Sequence, residues 1–524
     1  MMNNCINLLL SHCILRVSLF YIGLCCSCIV LANTEAVRGY KIELIDPASL
    51  KLSAPELPNT ENYNEGTARA RLKTITEKAI VKPQVLEVRR MFKEPTLGDF
   101  TAGERAREWA KRQKTHPKAI FLKSGIFRPK DIARALKGSE YFKVQSNDSY
   151  LVRLPLVIEQ DAVLLLEGNS HRKQTLRFSQ EKGAFLVVDG FFFSFHAELS
   201  GWSENKGDYA YYQRASEFRP FFVSWGGSSI YLIESTVKSF GYSASKSYGV
   251  TVTQYSEEDN RSLHRASPFA WIINSKFEDM YFGFYCWEAD GLVILGNEYI
   301  NNVVYGIDPH DRSERLIITD NTVYGTREKH GIIISREVAH SWIYNNRSYE
   351  NKLSGIVLDR NSSNNVVAAN SVHHNGGDGI TVYESSGNLF WENKIYANRK
   401  HGIRIRNSSD VRLYSNLVMA NQQKGIFAYV KDLSDSSRNF DMDPYAKEVT
   451  LIVHGGELAF NTGGEISMSQ PLSIELFGVV MRFPAKKKGI RMDGVLTPHF
   501  HYILDVMNQR NQAVYLQPNI ANPG

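Results

Sequence analysis

The tetrapeptide Asp308-Pro309-His310-Asp311 combines the residue types that acid–base chemistry requires. A neutral imidazole can accept a proton near physiological pH, and neighbouring carboxylates can orient it. Pro309 stands where a strand would carry an aliphatic side chain, so the sheet loses a backbone hydrogen bond there. A strained strand that bears a histidine is a candidate functional site, although the tetrapeptide alone fits a bulge with a surface histidine equally well.

Aromatic, cationic and acidic side chains recur at regular intervals on both sides of this tetrapeptide. The predicted substrate-binding residues are Tyr285, Trp287, Asp359, Arg360, Tyr383, Arg404 and Arg406. Tyrosine and tryptophan rings offer flat faces to sugars, and arginine forks match the carboxylates of uronic acids. We therefore predict a groove for an anionic glycan. The alternative is the solvated face of a repeat protein, in which Lys, Glu and Ser would be expected to dominate.

A repeat of 23 to 25 residues positions these side chains. Its anchors are glycines, each followed by a short apolar strand: Gly283, Gly306, Gly331, Gly355, Gly379, Gly402 and Gly425. Leucine-rich repeats have a similar period, but their L-x-x-L-x-L consensus is absent. The pattern predicts an all-β, right-handed parallel β-helix in which each coil stacks on the previous one.

Two columns of asparagine accompany the glycines. The first contains Asn297, Asn321, Asn346, Asn370, Asn393 and Asn416. The second follows five residues later in each coil and is interrupted only at Thr326. Because a turn asparagine tolerates left-handed backbone geometry and its amide can bond to the next coil, we expect these columns to be structural.

Strand alternation places the first and third residues after each glycine in the core and the second and fourth outside it. The fourth positions give the column Trp287, His310, Ser335, Asp359, Tyr383, Arg406 and Tyr429. The second positions give Tyr285, Asp308, Ile333, Val357, Thr381, Arg404 and Phe427. Adjacent members of a column should lie about 4.8 Å apart, so we expect both columns to line the groove.

The rest of the chain suggests four regions. We predict a signal peptide over 1–32, a partly helical capping region over 33–115 at the N-terminal end of the solenoid, the β-helix over 116–480 with regular repeats at 283–430, and a C-terminal cap over 481–524. The leader contains one charged residue, Arg16, and then an apolar run that ends at Ala32. That order indicates export, with a retained membrane anchor as the alternative. No later segment is apolar enough to span a membrane.

Charge and cysteine content agree with an exported protein that meets an acidic polymer. Removal of the predicted leader takes away Arg16, so the formal charge falls from +6 to +5. It also takes away five of the six cysteines, so only Cys286 remains and no internal disulfide can form. Nucleic acid is disfavoured because no Lys/Arg-rich run is present. The zinc-protease, EF-hand and calcium-binding nonapeptide motifs are absent, so we predict no metal and no cofactor.

The segment YGIDPHDRSERLIITDNTVYGTREKHGIIISREV, from Tyr305 to Val338, resembles the signature region of the periplasmic mannuronan C5-epimerases of alginate biosynthesis. The resemblance extends through KLSGIVLDRNS, DGITVYES, HGIRIRNS and VKDLS. It implies a right-handed parallel β-helix, residence in the periplasm, and conversion of β-D-mannuronate to α-L-guluronate within the polymer. It also implies His310 as the base at C5, Arg336 as the group that neutralises the carboxylate, and Asp308 and Asp311 as the residues that organise them.

Residue chemistry is consistent with these roles. The C5 proton becomes removable only when a fixed cation stabilises the negative charge that develops on the adjacent carboxylate. Arg336 lies one coil after His310 and one position further along its strand, so both can reach one sugar. The acid that reprotonates the opposite face is not identified by the sequence: the family suggests water, and Tyr383 or another groove residue is an alternative.

Three other functions are compatible with the same groove. A β-eliminating lyase would begin with the same proton abstraction, and a hydrolase would need two facing carboxylates. A noncatalytic scaffold would only guide the polymer. The family resemblance implies scaffolding as a second role, with polymannuronate or alginate as the bound chain and periplasmic alginate assembly and export proteins as partners.

Overall fold

The computed structural model describes residues 39–46, 53–79, 82–90, 97, 108–114, 116–255, 262–441, 443–482 and 491–519. The predicted signal peptide lies outside the described residues. Within the described ranges, no helix is both long and apolar enough to cross a membrane.

The described chain forms a right-handed parallel β-helix, as predicted. Three stacks of strands run along it, and successive coils pair in parallel register. We name these stacks the groove sheet, the second sheet and the third sheet. Two long strands, Lys118–Phe127 and Leu156–Glu167, begin the solenoid and contribute to both the groove sheet and the second sheet.

The groove sheet contains the strands that follow the anchor glycines. Its strands are Leu186–Val188, Phe222–Ser224, Gly249–Thr253, Phe282–Trp287, Tyr305–His310, Ile332–Ser335, Ile356–Asp359, Ile380–Tyr383, Ile403–Arg406, Lys424–Tyr429, Gly464–Ser469 and Met492–Gly494. The second sheet follows it in each coil. Its strands are Phe191–Phe195, Ser229–Ile233, Phe269–Ile273, Val293–Leu295, Ile317–Thr319, Trp342–Tyr344, Val366–Ala368, Leu389–Trp391, Val411–Tyr414, Thr450–His454 and Ser473–Phe477.

The third sheet completes each coil with a short strand. Its strands are Ser149–Val152, Gln174–Ser179, Ala197–Ser203, Thr236–Lys238, Lys276–Glu278, Glu298–Ile300, Thr322–Tyr324, Arg347–Tyr349, Ser371–His373, Lys394–Tyr396, Leu417–Met419, Glu457–Ala459 and Val480–Arg482. The remaining described strands are Tyr40–Ile45, Val85–Arg90, Phe142–Ser146, Asp208–Tyr209 and Ala513–Pro518. The described helices are Glu65–Ala79, Glu108–Lys111, Pro129–Ala135 and Phe500–Gln509, with a 3-10 turn at Thr497–His499.

One continuous hydrophobic core fills the coils. Apart from Pro309, the first and third positions after the anchor glycines, such as Ile332 and Ile334, are buried in it. The asparagine columns are internal, as expected: Asn370 donates from Nδ2 to Asn393 Oδ1 at 2.9 Å and accepts from the backbone N–H of Asn346 at 2.9 Å. The glycines are required by space, because a Cβ on Gly379 would lie 2.3 Å from a methyl carbon of Ile395.

The region 33–115 differs from the expectation that it covers only the N-terminal end. Val85–Arg90 does pair with the first long strand of the solenoid. Tyr40–Ile45 instead pairs antiparallel with Ala513–Pro518, which in turn pairs with the last strand of the second sheet. This pairing joins residues 468 to 478 positions apart and has no local sequence signature.

Helix Glu65–Ala79 packs on the outside of the second sheet rather than over the end of the solenoid. Its Ala68 and Leu72 join a cluster that includes Phe193 and Trp271. The preceding chain lies further along the same sheet, where the Tyr344 hydroxyl donates to the Pro58 carbonyl at 2.8 Å. The β-helix also extends past the predicted boundary at 480, because Met492–Gly494 pairs with Gly464–Ser469.

Candidate active site

The fourth-position column is present as the repeat predicted. Strand pairing aligns Trp287 with His310, and then Ser335, Asp359, Tyr383, Arg406 and Tyr429 follow in successive coils. After six of these seven strands the chain turns through a residue with positive φ. The turn residues are Glu288 (49°), Asp311 (34°), Arg336 (59°), Arg360 (54°), Glu384 (46°) and Asn407 (46°). The corner therefore presents a second row of side chains beside the column, all of them charged except Asn407.

Pro309 interrupts the sheet at the centre of this face. Between the strands Tyr305–His310 and Ile332–Ser335, the paired positions are Ile307 with Ile332 and His310 with Ser335. Proline has no N–H to donate, which explains the interruption between these two pairs. The buried Ser313 hydroxyl donates a hydrogen bond to the carbonyl oxygen of His310 at 2.8 Å.

Asp311 connects His310 to Arg336. The Nδ1 atom of His310 lies 2.6 Å from Asp311 Oδ2, and Arg336 Nη1 lies 3.6 Å from Asp311 Oδ1. The hydrogen bond to Asp311 leaves Nε2 as the ring nitrogen available to a substrate. The Arg336 side chain is 48% exposed, so its guanidinium remains accessible from the groove.

The pKa values of this pair follow from its surroundings. Burial by itself lowers the pKa of His310, but the hydrogen bond with Asp311 and the charges of Asp308 and Asp311 raise it above its ordinary value. Burial opposes ionisation of Asp311, yet the contacts with His310 and the charge of Arg336 hold its pKa below the usual range. Asp311 is thus the anion that orients the imidazole.

Asp308 has a different environment. It is 2% exposed, and its Oδ1 has no hydrogen-bond partner among the residues that the structure describes. Burial raises its pKa from 3.8 to about 7, with the negative charge of Asp311 acting in the same direction. Asp308 therefore retains a proton in part of the population near neutral pH.

The second-position column is more enclosed than predicted. Tyr285, Asp308, Ile333, Val357 and Thr381 are all buried, although they lie outside the central core cluster. Residues from the adjoining turns cover them. Thr381, for example, contacts the hydroxyl of Ser354 at 3.0 Å and the carboxylate of Asp378 at 3.0 Å.

An aromatic wall stands beside His310, and the repeat pattern did not predict it. The Tyr285 ring lies 5.7 Å from the imidazole and meets Tyr248 edge-on at 5.0 Å. Phe282 stacks on Tyr248 at 4.7 Å and contacts Tyr305 at 5.0 Å. Asp308 contributes to the electrostatic environment of Tyr248, Tyr285 and Tyr305, whose pKa values burial raises. The buried carboxyl group of Asp308 therefore lies close enough to these three tyrosines to act on them electrostatically.

A cleft of about 730 Å³ extends from Asp311 along the corner. Residues from five successive coils line it, together with residues between 433 and 439 and Asp443. That segment belongs to an insertion, since Asn421 and Asn461 of the second asparagine column are 40 residues apart. The long interval is visible in the sequence and could have identified the insertion.

Arg438 ties this insertion to the groove, and sequence reasoning missed it. Its Nη1 donates to Glu384 Oε2 at 2.8 Å and its Nη2 to Asp443 Oδ1 at 2.5 Å. Glu384 also accepts two hydrogen bonds from Arg406, whose guanidinium lies 3.8 Å from the centre of the Tyr383 ring. Tyr383, Glu384, Arg406, Arg438 and Asp443 thus form one connected group.

The other predicted binding residues differ in how accessible they are. Arg360 Nε lies between Asp359 at 3.5 Å and Asp443 at 3.6 Å, and burial raises the pKa of Asp359 to about 6. Arg404 is paired at 2.5 Å with the fully buried Asp378. Trp287 lies next to His310 in the column, with the Lys246 ammonium 4.4 Å from its ring.

Within the described part of the chain, one group of His and acidic side chains is close enough to hold a metal ion: Glu65, His196 and Glu234. It lies between helix Glu65–Ala79 and the second sheet, and includes none of the groove residues.

Comparison with known proteins places this geometry in a family. A family model described as a right handed beta helix region matches residues 311–439. The mannuronan C5-epimerase of Pseudomonas aeruginosa is 47% identical over 482 residues, covering 92% of this chain and 87% of the relative. That of Pseudomonas putida is 44% identical over 491 residues, covering 94% and 93%. The chain belongs to the mannuronan C5-epimerase family.

A solved member of this epimerase family has the same fold. The crystal structure of the periplasmic alginate epimerase AlgG is 44% identical in sequence and superimposes with a TM-score of 0.77, covering 82% of this chain and all of that one. This chain and the solved family member therefore share the same β-helix architecture.

Proposed function

We propose that this protein inverts C5 of mannuronate residues within a polymannuronate chain, producing guluronate. The observation that supports this most directly is the position of Asp311, whose two carboxylate oxygens face His310 and Arg336. One side chain thereby sets the relative position of a base and a cation. These are the two groups that abstraction of a proton next to a carboxylate requires.

In the first step, Nε2 of His310 takes the proton from C5. The C5–H bond breaks, its electron pair delocalises into the C6 carboxylate, and Arg336 neutralises the charge that develops there. Asp311 accepts the Nδ1–H hydrogen bond, which fixes the tautomer and stabilises the imidazolium that forms. Asp308 adds a buried acidic group two residues before the base.

In the second step, a proton returns to C5 from the opposite face of the ring. Tyr383 lies three strands from His310, about 14 Å along the solenoid, so it suits a neighbouring sugar rather than the reacting one. The donor is then groove water or a closer hydroxyl, such as that of Tyr285, whose ring adjoins the imidazole. Each inverted sugar thus loses one proton to His310 and gains one from the donor, so its composition is unchanged. His310 then releases its proton to solvent, and solvent reprotonates the donor.

The remaining groove residues bind the flanking sugars. Arg360 supplies a cation on the coil after Arg336, and Tyr383 supplies an aromatic face on the next coil. Arg404 and Arg406 supply two cations on the coil after that. Trp287 and Tyr285 lie on the other side of His310. A chain bound along the column would thus place one uronate at His310 and its neighbours on either side.

The test is proton NMR of polymannuronate after incubation with the protein, alongside ultraviolet absorbance. We expect guluronate signals without unsaturated products, and no guluronate with His310→Asn. His340→Asn is the matched control, because His340 is exposed and adopts the positive φ that asparagine tolerates. Rising absorbance would make the protein a lyase, and activity retained in His310→Asn would refute the assignment of the base.

The family resemblance also supports a periplasmic location and a second role within the alginate export assembly. The apolar leader, the polymer-binding groove and the likeness to a periplasmic relative support this proposal. If the roles are separate, cells that carry His310→Asn should still secrete polymer, but without guluronate. Loss of secretion in that variant would contradict the separation.

A further inference from the structure

The catalytic cleft has a balanced charge, and a smaller cleft elsewhere does not. Five arginines and five carboxylates line the cleft at Asp311. A second cleft, of about 410 Å³, is lined by the cations Arg172, Lys173 and Arg177 and by the single carboxylate of Asp148. We call it the distal cleft. It is the one of the two that carries net positive charge.

The distal cleft lies at the N-terminal end of the third sheet, away from the groove sheet. Its strand Gln174–Ser179 is five strands before Thr322–Tyr324, which belongs to the coil of His310. At about 4.8 Å per strand, that separation is about 24 Å along the solenoid. The distal cleft is therefore not a continuation of the groove.

Packing holds the cations of the distal cleft in place. The Arg177 guanidinium lies 3.9 Å from the centre of the Trp202 ring, and its Nη1 donates to Gln145 Oε1 at 3.0 Å. Lys173 donates from Nζ to the Thr236 hydroxyl at 2.7 Å. Arg172 is paired with Asp148, whose Oδ2 lies 2.5 Å from its Nε. Arg177 and Lys173 make the contacts above with neutral groups, so these two cations can still pair with an anion.

Aromatic side chains extend the surface from the distal cleft. Trp202 meets Tyr209 edge-on at 5.7 Å, and Tyr211 is 42% exposed. Lys238, which is also paired with Glu278 at 3.1 Å, lies 4.3 Å from the Tyr209 ring. It is two strands from Arg177, about 10 Å along the third sheet. Cations and aromatic rings thus alternate in the combination that suits a polyuronate.

We propose that the distal cleft is a second binding site for an anionic polysaccharide, and that it retains long chains while the groove acts on another part of the same chain. This inference rests on the proposed function for the identity of the polymer. A chain held at two sites rebinds at a high effective concentration, so the second site should matter only for chains long enough to reach both.

Kinetics with substrates of two lengths test the proposal. In the variant Arg172→Ser/Arg177→Gln, we expect KM for long polymannuronate to rise about tenfold, while kcat and the KM for short oligomannuronate stay unchanged. Lys73→Gln/Lys111→Ser is the control, since it removes the same charge from exposed sites elsewhere. An unchanged KM for long chains, or an equal rise for both lengths, would overturn the proposal.

A second variant and a binding measurement test the proposal even if the double variant misfolds or the enzymatic assay fails. Lys173→Glu disturbs no ring contact and should weaken long-chain binding similarly. Hydrogen exchange of the intact protein should show protection of residues 142–149 and 172–178 by long polymannuronate, and none by neutral dextran. Protection by anionic lipid vesicles but not by polymannuronate would overturn the proposal. Protection by polymannuronate without epimerisation would contradict the proposed function but would support binding at the distal cleft.

Discussion

Replacing Asp308 by asparagine removes a buried carboxyl group beside the base and hardly changes the side-chain size. Burial raises the pKa of Asp308 from an ordinary 3.8 to about 7. A group whose pKa is raised by folding stabilises the protein while it is protonated in both states. That stability is lost as the pH rises from the unfolded pKa through the folded one. Between pH 4 and 7, the wild-type protein should therefore lose stability through Asp308.

The size of the effect follows from the shift. One pKa unit corresponds to about 1.4 kcal/mol, so Asp308 destabilises the folded protein by up to about 4 kcal/mol at pH 8. Asparagine carries no charge and avoids this loss. An amide at this site has no partner for one of its polar atoms, which offsets part of the gain at every pH. The pH dependence of the difference is therefore more diagnostic than its absolute value.

The assay is urea denaturation of wild type and Asp308→Asn at pH 5 and pH 8, with epimerase activity measured on the same samples. We expect the variant to gain stability relative to wild type between the two pH values, and to lose activity. Asp320→Asn, at an exposed turn position with positive φ, is the control. A stability difference that does not change with pH, or that changes in the opposite direction, would refute the account of Asp308.

Three further substitutions test other parts of the structure. Asp311→Asn should move the acid limb of the pH–rate profile to lower pH, because the pKa of His310 loses the carboxylate that raises it, and should lower the maximal rate about 10- to 100-fold; an unmoved limb would contradict the pairing. Arg438→Gln should raise KM several-fold, because the insertion loses its contact with Glu384. Hydrogen exchange of residues 433–441 should become faster in this variant, and unchanged exchange would contradict the role of the Arg438–Glu384 contact. Asn370→Ala should lower the free energy of unfolding by about 3–5 kcal/mol, because four internal hydrogen bonds are lost; a loss under 1 kcal/mol in urea denaturation would contradict the role of the ladder.

The regular coils could be predicted because every coil repeats the same physical requirement. Space for the anchor glycine, amide bonding between stacked asparagines and alternation of the strands all recur every 23 to 25 residues. The register of the fourth-position column followed directly, and with it the proximity of His310, Asp311 and Arg336.

The features that the sequence did not predict depend on contacts without a repeat. Arg438 belongs to an insertion whose path over the groove is set by ion pairs with Glu384 and Asp443 rather than by periodicity. Strand alternation alone placed Asp308 at the surface, whereas its side chain is buried, with Tyr248 of an earlier coil close to it. The pairing of Tyr40–Ile45 at the far end depends on a partner near the end of the chain.

The most direct test of the central claim is epimerisation in deuterium oxide. Abstraction of the C5 proton by His310 and reprotonation from solvent predict that guluronate formed by the wild-type protein carries deuterium at C5. We also expect that His310→Asn neither forms guluronate nor exchanges the C5 proton of mannuronate. Guluronate that retains protium at C5, or normal conversion by His310→Asn, would contradict the account.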